Sequence, residues 1–133
     1  LTIIPFFSKI FLVSLMETVG DRMTSPYFSV EQDEFIKNAA KNIYDSGVGS
    51  LLVTHEKNMV GIITKTDLMI KVIAKNLDTE STRVVEVMSQ PLISIDAGEP
   101  LDTAKNIMRK ESIRHLAVSR DNQIVGVLSV KDL

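Results

Sequence analysis

Gly61-Ile62-Ile63-Thr64-Lys65-Thr66-Asp67-Leu68 and Gly126-Val127-Leu128-Ser129-Val130-Lys131-Asp132-Leu133 are one pattern written twice, 65 residues apart. Each runs glycine, two apolar residues, a hydroxyl residue, two variable positions, aspartate, leucine. The same offset carries Met23-Thr24-Ser25-Pro26 onto Met88-Ser89-Gln90-Pro91, and Ser29-Val30-Glu31 onto Ser94-Ile95-Asp96. Aligned without a gap, residues 19–68 and 84–133 share 12 identities in 50 positions. Many other pairs exchange like for like: Val48 with Ile113, Ile62 with Val127, Thr64 with Ser129. A register held through two loops marks an internal duplication. The chain divides into an apolar N-terminal segment (1–18), a first repeat (19–75), a polar linker (76–83) and a second repeat (84–133).

Each repeat reads as β-α-β-β-α. A short strand surrounds Phe28–Val30 in the first copy and Ile93–Ile95 in the second. The following helix has Asp33 as a candidate N-cap and Ile36, Ala39, Ala40 and Ile43 on one face. Its counterpart has Pro100 in the first turn and the stripe Leu101, Ala104, Ile107, Met108. Two hairpins follow, Leu51–Thr54 with Met59–Ile63 and Leu116–Ser119 with Ile124–Leu128, their turns at the polar runs 55–58 and 120–123. A last helix starts near Asp67 and carries Leu68, Ile70, Val72 and Ile73. Its counterpart would start near Asp132, where the chain stops. A unit of about 50 residues buries little core alone, so the two copies are expected to pack face to face.

Composition sets outer bounds. The 133 residues contain no Cys, which excludes disulfides, Cys-ligated zinc and a thiol nucleophile. The formal net charge of −2 argues against a generic nucleic-acid binder. With 14 Ile and 14 Val against 5 Phe and 2 Tyr, the apolar content favours half-buried strands. Residues 1–16 are almost wholly apolar, with Lys9 the only charge. They fall short of the roughly 20 residues that span a bilayer. They have no basic n-region and no small-residue cleavage site. Two readings stay open: a helix over Phe6–Met16 that covers a sheet or subunit surface, or a leader upstream of a start at Met16. Neither calls for a membrane, and a cytoplasmic chain is expected.

The duplicated unit, with its Met-Ser/Thr-x-Pro lead-ins at Met23 and Met88 and its Gly-apolar-apolar-Ser/Thr-x-x-Asp-Leu endings at Gly61 and Gly126, resembles a tandem pair of cystathionine-β-synthase (CBS) domains, a Bateman module. The match covers roughly Val19–Leu133. The resemblance implies an α+β fold, a pseudo-twofold pair with a cleft on each side of a shared sheet, and frequent assembly into a homodimer. It implies a regulatory rather than catalytic role, with AMP, ADP, ATP or S-adenosylmethionine bound in the clefts and an effector protein as a further partner. It also implies that the lead-in of one repeat walls the cleft holding the other repeat's aspartate. Asp21–Pro26 would then approach Asp132, and Glu86–Pro91 would approach Asp67, with Pro26 and Pro91 beside the base.

The residue chemistry fits such a ligand. A carboxylate at the strand-to-helix passage, Asp67 or Asp132, can accept two hydrogen bonds from a ribose diol. The helix that follows is expected to offer free N–H groups to a phosphate. Thr64 and Thr66, or Ser129 and Lys131, add donors, and Val48 and Ile113 are expected to line an adenine slot. Arg114 is the leading phosphate candidate because a guanidinium matches phosphate geometry, with His115 next. The alternative is that Asp67 and Asp132 only cap their helices. Asp21 and Glu86 would repel phosphate and are expected at ribose, base or solvent. Charge favours the Asp132 cleft, whereas backbone order favours Asp67.

An enzyme is not expected. His55 and His115 occupy non-equivalent positions and form no metal-spaced pair or triad. Lys71 and Lys75 read as the solvated face of a helix, and Met59, Met69 and Met108 as core. The rival to ligand sensing is a structural dimerisation module with vestigial clefts.

Overall fold

The computed structural model describes residues 16–133. The helix expected over Phe6–Met16 falls outside them, except for the exposed Met16. Both repeats begin with a one-turn helix, α1 (Val19–Arg22) and α4 (Val84–Val87), that leads into an extended segment. In the first repeat there follow β1 (Ser29–Glu31), α2 (Ile36–Ser46), β2 (Ser50–His55), β3 (Asn58–Thr64) and α3 (Lys65–Asp67), which continues as a π-helix over Leu68–Ile73. The second has β4 (Ser94–Asp96), α5 (Leu101–Glu111), β5 (His115–Arg120), β6 (Gln123–Ser129) and a closing 3₁₀ turn, Val130–Asp132.

The resemblance implied one shared sheet, but the repeats form two three-stranded sheets, β1-β2-β3 and β4-β5-β6. Each has a parallel outer pair and an antiparallel hairpin. A register shift falls between Val53 and Thr54 and again between Val118 and Ser119, so the duplication extends to the irregularities. Hairpin loops are tighter than expected. Only Glu56-Lys57 and Asp121-Asn122 turn, all four at positive φ, the backbone that matches strand twist in two-residue loops.

Alternation along the strands builds three cores. Leu51, Val53 and Ile63 pack with Ile36, Ala39 and Ile43 of α2. Leu116, Val118 and Leu128 pack with Ala104 and Met108 of α5. The opposite faces, Leu52 and Ile62 with Ala117 and Val127, meet in a third core between the repeats. The strands are therefore apolar on both faces, which accounts for the Ile and Val surplus.

The lead-ins cross over. Val19, fully buried, sits in the core of the second repeat, while Val84, Val87 and Met88 sit in that of the first. Bridges Thr24–Val127 and Ile62–Ser89 fix each extended segment against the other repeat's hairpin. A Cβ on Gly61 would lie 2.7 Å from the Ser89 carbonyl, and one on Gly126 would lie 2.6 Å from that of Thr24. The two glycines are where the crossing chains pass.

Several local expectations are corrected. The first strands start one residue later than expected. Asp33 does not cap α2; the cap position is Phe35, and the free N–H groups of Ile36 and Lys37 are met by the carbonyls of Thr82 and Thr79. Residues of the polar linker thus serve as that helix's N-terminal partners. Pro100 stands at the cap of α5, one position before its first turn. Past Asp67, Val72 is buried but Met69, Ile70 and Ile73 are exposed. Bonds from Ala74 N to Met69 O and from Leu77 N to Val72 O close wide turns, and the apolar stripe no longer follows a 3.6-residue period. Among the described residues no helix is long and apolar enough to cross a membrane.

Candidate functional site

Both repeats end their hairpin in the same local device. Thr64 caps α3: its N–H and hydroxyl donate to Asp67 Oδ2 at 3.0 and 3.1 Å. Ser129 N donates to Asp132 Oδ2 at 2.8 Å. These are capping boxes, so both aspartates hold their turns with one oxygen.

The other oxygen separates the two sites. Asp67, buried, has its Oδ1 filled by the Ser89 hydroxyl at 2.9 Å and the Lys71 ammonium at 2.9 Å. Lys71 also donates to the Val87 carbonyl at 3.1 Å and faces Ser89 Oγ at 3.4 Å. It therefore does not belong to the solvated face of its helix, as its sequence context suggested. Asp132 is half-exposed, and its Oδ1 has no partner among the described residues.

Each aspartate floors a cavity built from both repeats. That at Asp67 measures about 280 Å³ and includes Thr64, Thr66, Pro91 and Ile113. That at Asp132 measures about 290 Å³ and includes Val48, Ser129, Lys131 and Thr24. Thr66, Arg114 and His115 border both. Val48 and Ile113 lie in the loops before β2 and β5, and each faces the cavity floored by the other repeat's aspartate. Pro26 is exposed and borders neither cavity; on that lead-in Thr24 lines the Asp132 cavity.

Asp21 and Glu86 border neither cavity as well. Each turns back on its own one-turn helix: Asp21 accepts from Thr18 N at 2.8 Å, and Glu86 from Arg83 N at 2.6 Å. The bonds from Thr18 hold the Asp21 carboxyl below the usual aspartate range.

The N–H groups expected to meet a phosphate are largely used. Lys65 N donates to Gly49 O and Val130 N to Arg114 O. Asp67 N donates to Thr64 Oγ and Lys131 N to Ser129 Oγ. Anion recognition here falls to side chains. Lys65 is one that sequence reasoning missed: it belongs to the first repeat yet borders the Asp132 cavity, and its counterpart, Val130, gives no signal. The His115 ring is held below the ordinary histidine range, chiefly by burial and then by the Arg114 charge, against weaker opposite pulls from Asp132 and Asp67. It stays neutral at pH 7. Among the described residues no group of three or more His, Asp or Glu is placed to hold a metal ion.

The family model for the CBS domain matches residues 19–74 and 84–133. CBS domain-containing protein YhcV of Bacillus subtilis (strain 168) is 30% identical over 118 residues, covering 89% of this chain and 84% of that protein. A CBS domain protein from Pyrobaculum aerophilum complexed with AMP superposes with a TM-score of 0.78 at 26% identity, covering 87% of this chain and 89% of that one. The CBS domain pair of protein MJ0100, in complex with 5′-methylthioadenosine and S-adenosyl-L-methionine, superposes with a TM-score of 0.77 at 28% identity, covering 88% and 92%.

Proposed function

The chain belongs to the CBS domain family, and on that premise we propose that it is a non-enzymatic regulatory module that binds an adenosine compound (AMP, ADP, ATP or S-adenosylmethionine) between its repeats. The observation that carries this reading is the mirror pair of cavities, each floored by a strand-end aspartate and walled by the other repeat's lead-in. A cavity of that size takes a nucleoside, a strand-end carboxylate suits a ribose diol, and Arg114, Lys131 and Lys65 suit a phosphate. The adenosine compounds held by the two solved relatives support the same class.

The reading includes a cytoplasmic location, a homodimer and an effector protein that receives the signal. Support for the homodimer is an exposed apolar patch on and just past the π-helix, Met69, Ile73 and Leu77, at 64%, 74% and 40% exposure. A second reading, a structural dimerisation module, is favoured by one observation: the Asp67 carboxylate is already saturated within the chain.

Thermal unfolding with each of the four compounds separates the two. A ligand that binds only the folded state stabilises it by about 2.7 kcal/mol at 100-fold its dissociation constant. A rise in midpoint with at least one compound is expected. A flat response to all four, with the dimer intact by sedimentation, would leave only the structural reading.

A further inference from the structure

His115, the first residue of β5, stands half-buried on the ridge between the two cavities and borders both. Its ring lies on the first repeat's Gly49, where a Cβ would come 3.3 Å from Nε2. A side chain there would press on the ring, so the glycine leaves it room at the seam. No carboxylate pairs with the ring among the described residues. Charged groups surround it from the neighbouring elements: Lys65 and Asp67 of α3, Lys71 of the π-helix, Arg114 of the preceding loop, Lys131 and Asp132 of the 3₁₀ turn. The loop at 47–49 brings no charge, nor does Ser129, the cross-strand partner of His115. The two cavities together hold four cations against two carboxylates. Both carboxylates are already bonded at their own turns, to Thr64 and to Ser129.

We infer that His115 is a proton-linked anion receptor: a phosphate-bearing ligand entering either cavity draws a proton onto the ring, and its affinity rises as pH falls. This rests on the adenosine reading above and adds a regulation to it. Without an anion, a fifth positive charge on the ridge is opposed by the four cations already there. Burial, and then the Arg114 charge, keep the ring neutral at pH 7. A bound phosphate sets negative charge against the same groups. The balance then turns towards the imidazolium, which gives the anion one more N–H donor and one more positive charge. Linkage is reciprocal: a proton that the anion draws in also tightens the anion. Histidine is the side chain whose ordinary titration lies nearest neutral pH, so the effect falls between about pH 5 and 8. A nucleoside without phosphate brings no such charge and leaves the ring neutral.

Isothermal titration of the full chain with AMP near pH 6.5, in two buffers of different ionisation enthalpy, counts the protons taken up. The parent should take up more than His115→Gln. That comparison cancels the titration of the phosphate itself, whose second pKa is about 6. From about pH 7.5 to 6, AMP affinity should gain about threefold or more in the parent relative to the variant, against a ceiling of about tenfold per pH unit for one proton. The chain has 2 histidines, so imidazole proton NMR follows His115 in the parent itself, with His55 as the control, even if the variant fails to fold. AMP should raise the His115 titration midpoint by about half a pH unit or more, and adenosine should leave it in place. Equal proton counts in parent and variant, a His115 midpoint that AMP lowers or leaves unchanged, or an equal rise with adenosine would overturn the linkage and leave the adenosine reading standing. Failure of every adenosine compound to bind would remove both.

Discussion

Gly61→Ala puts the crossing of the repeats under direct test. Gly61 is buried on β3, and the added Cβ would lie 2.7 Å from the Ser89 carbonyl oxygen and 2.9 Å from Met88 Sδ. The thioether can swing aside, but the carbonyl moves only with the lead-in. That lead-in is tied to β3 by two hydrogen bonds, Ile62 N to Ser89 O at 3.0 Å and Ser89 N to Ile62 O at 2.8 Å. Weakening both costs about 0.5–1.5 kcal/mol each, and overpacking beside the buried Met88 adds about 1–3 kcal/mol. A total of about 2–6 kcal/mol is expected. At about 4 °C per kcal/mol for a chain of this size, the midpoint falls by roughly 8–24 °C. Urea unfolding gives the free energy and calorimetry the midpoint. The displacement also reaches Ser89, whose hydroxyl holds Asp67. The equivalent Gly126→Ala presses instead on the Thr24 carbonyl at 2.6 Å, beside the Asp132 cavity. A Gly61→Ala chain within about 0.5 kcal/mol of the parent would show that the crossing is not a close approach, and the reasoning would fail.

Other outcomes follow from the same structure. Because the folded-state pKa of His115 lies below its ordinary value, the unfolded chain takes up the proton first. His115 therefore lowers stability as pH falls below about 6.5, the unfolded-state value. His115→Gln should flatten the dependence of the urea midpoint between pH 7.5 and 5.5, and an unchanged slope speaks against it. Val19→Ala removes buried surface worth about 2 kcal/mol, and amide exchange should quicken first in β4–β6, the sheet of the other repeat. Val84→Ala should do the same to β1–β3, and loosening confined to each residue's own repeat would contradict the crossover. Glu56→Asn with Lys57→Gly places residues suited to positive φ at 50° and 69°, for a gain of about 1 kcal/mol. No rise in midpoint would count against the turn geometry.

The sequence carries the fold unusually far because the duplication is its own control. A constant offset aligns Gly61 with Gly126 and both aspartates without a gap, and the polar runs at 55–58 and 120–123 mark where the hairpins turn, each two residues wider than the loop the strands leave. The meeting of each lead-in with the opposite aspartate came from the family resemblance; no periodicity encodes it. What stayed hidden depends on long-range partners. Lys71 looks like any lysine on an exposed helix face until Val87 and Ser89 arrive from the second repeat. Asp33 is a good cap by type, yet the linker carbonyls of Thr79 and Thr82 take that role from a distance in sequence. The two aspartates are identical in motif, and nothing in that motif shows that Ser89 and Lys71 take the second oxygen of Asp67. Met69 reads as core but is exposed, on a helix wound wider than a 3.6-residue period.

The exchanged lead-ins make the two halves mutually dependent. Each repeat lends the other a valine-bearing turn and a β-bridge, so neither half is a complete module in its own right. A chain severed in the polar linker would give two fragments, each missing what the other supplies. Fragment encounter would itself finish both interiors, and the recovery of fold would report that meeting. The molecule has the properties of a split protein, with its complementation surface already built into the repeat.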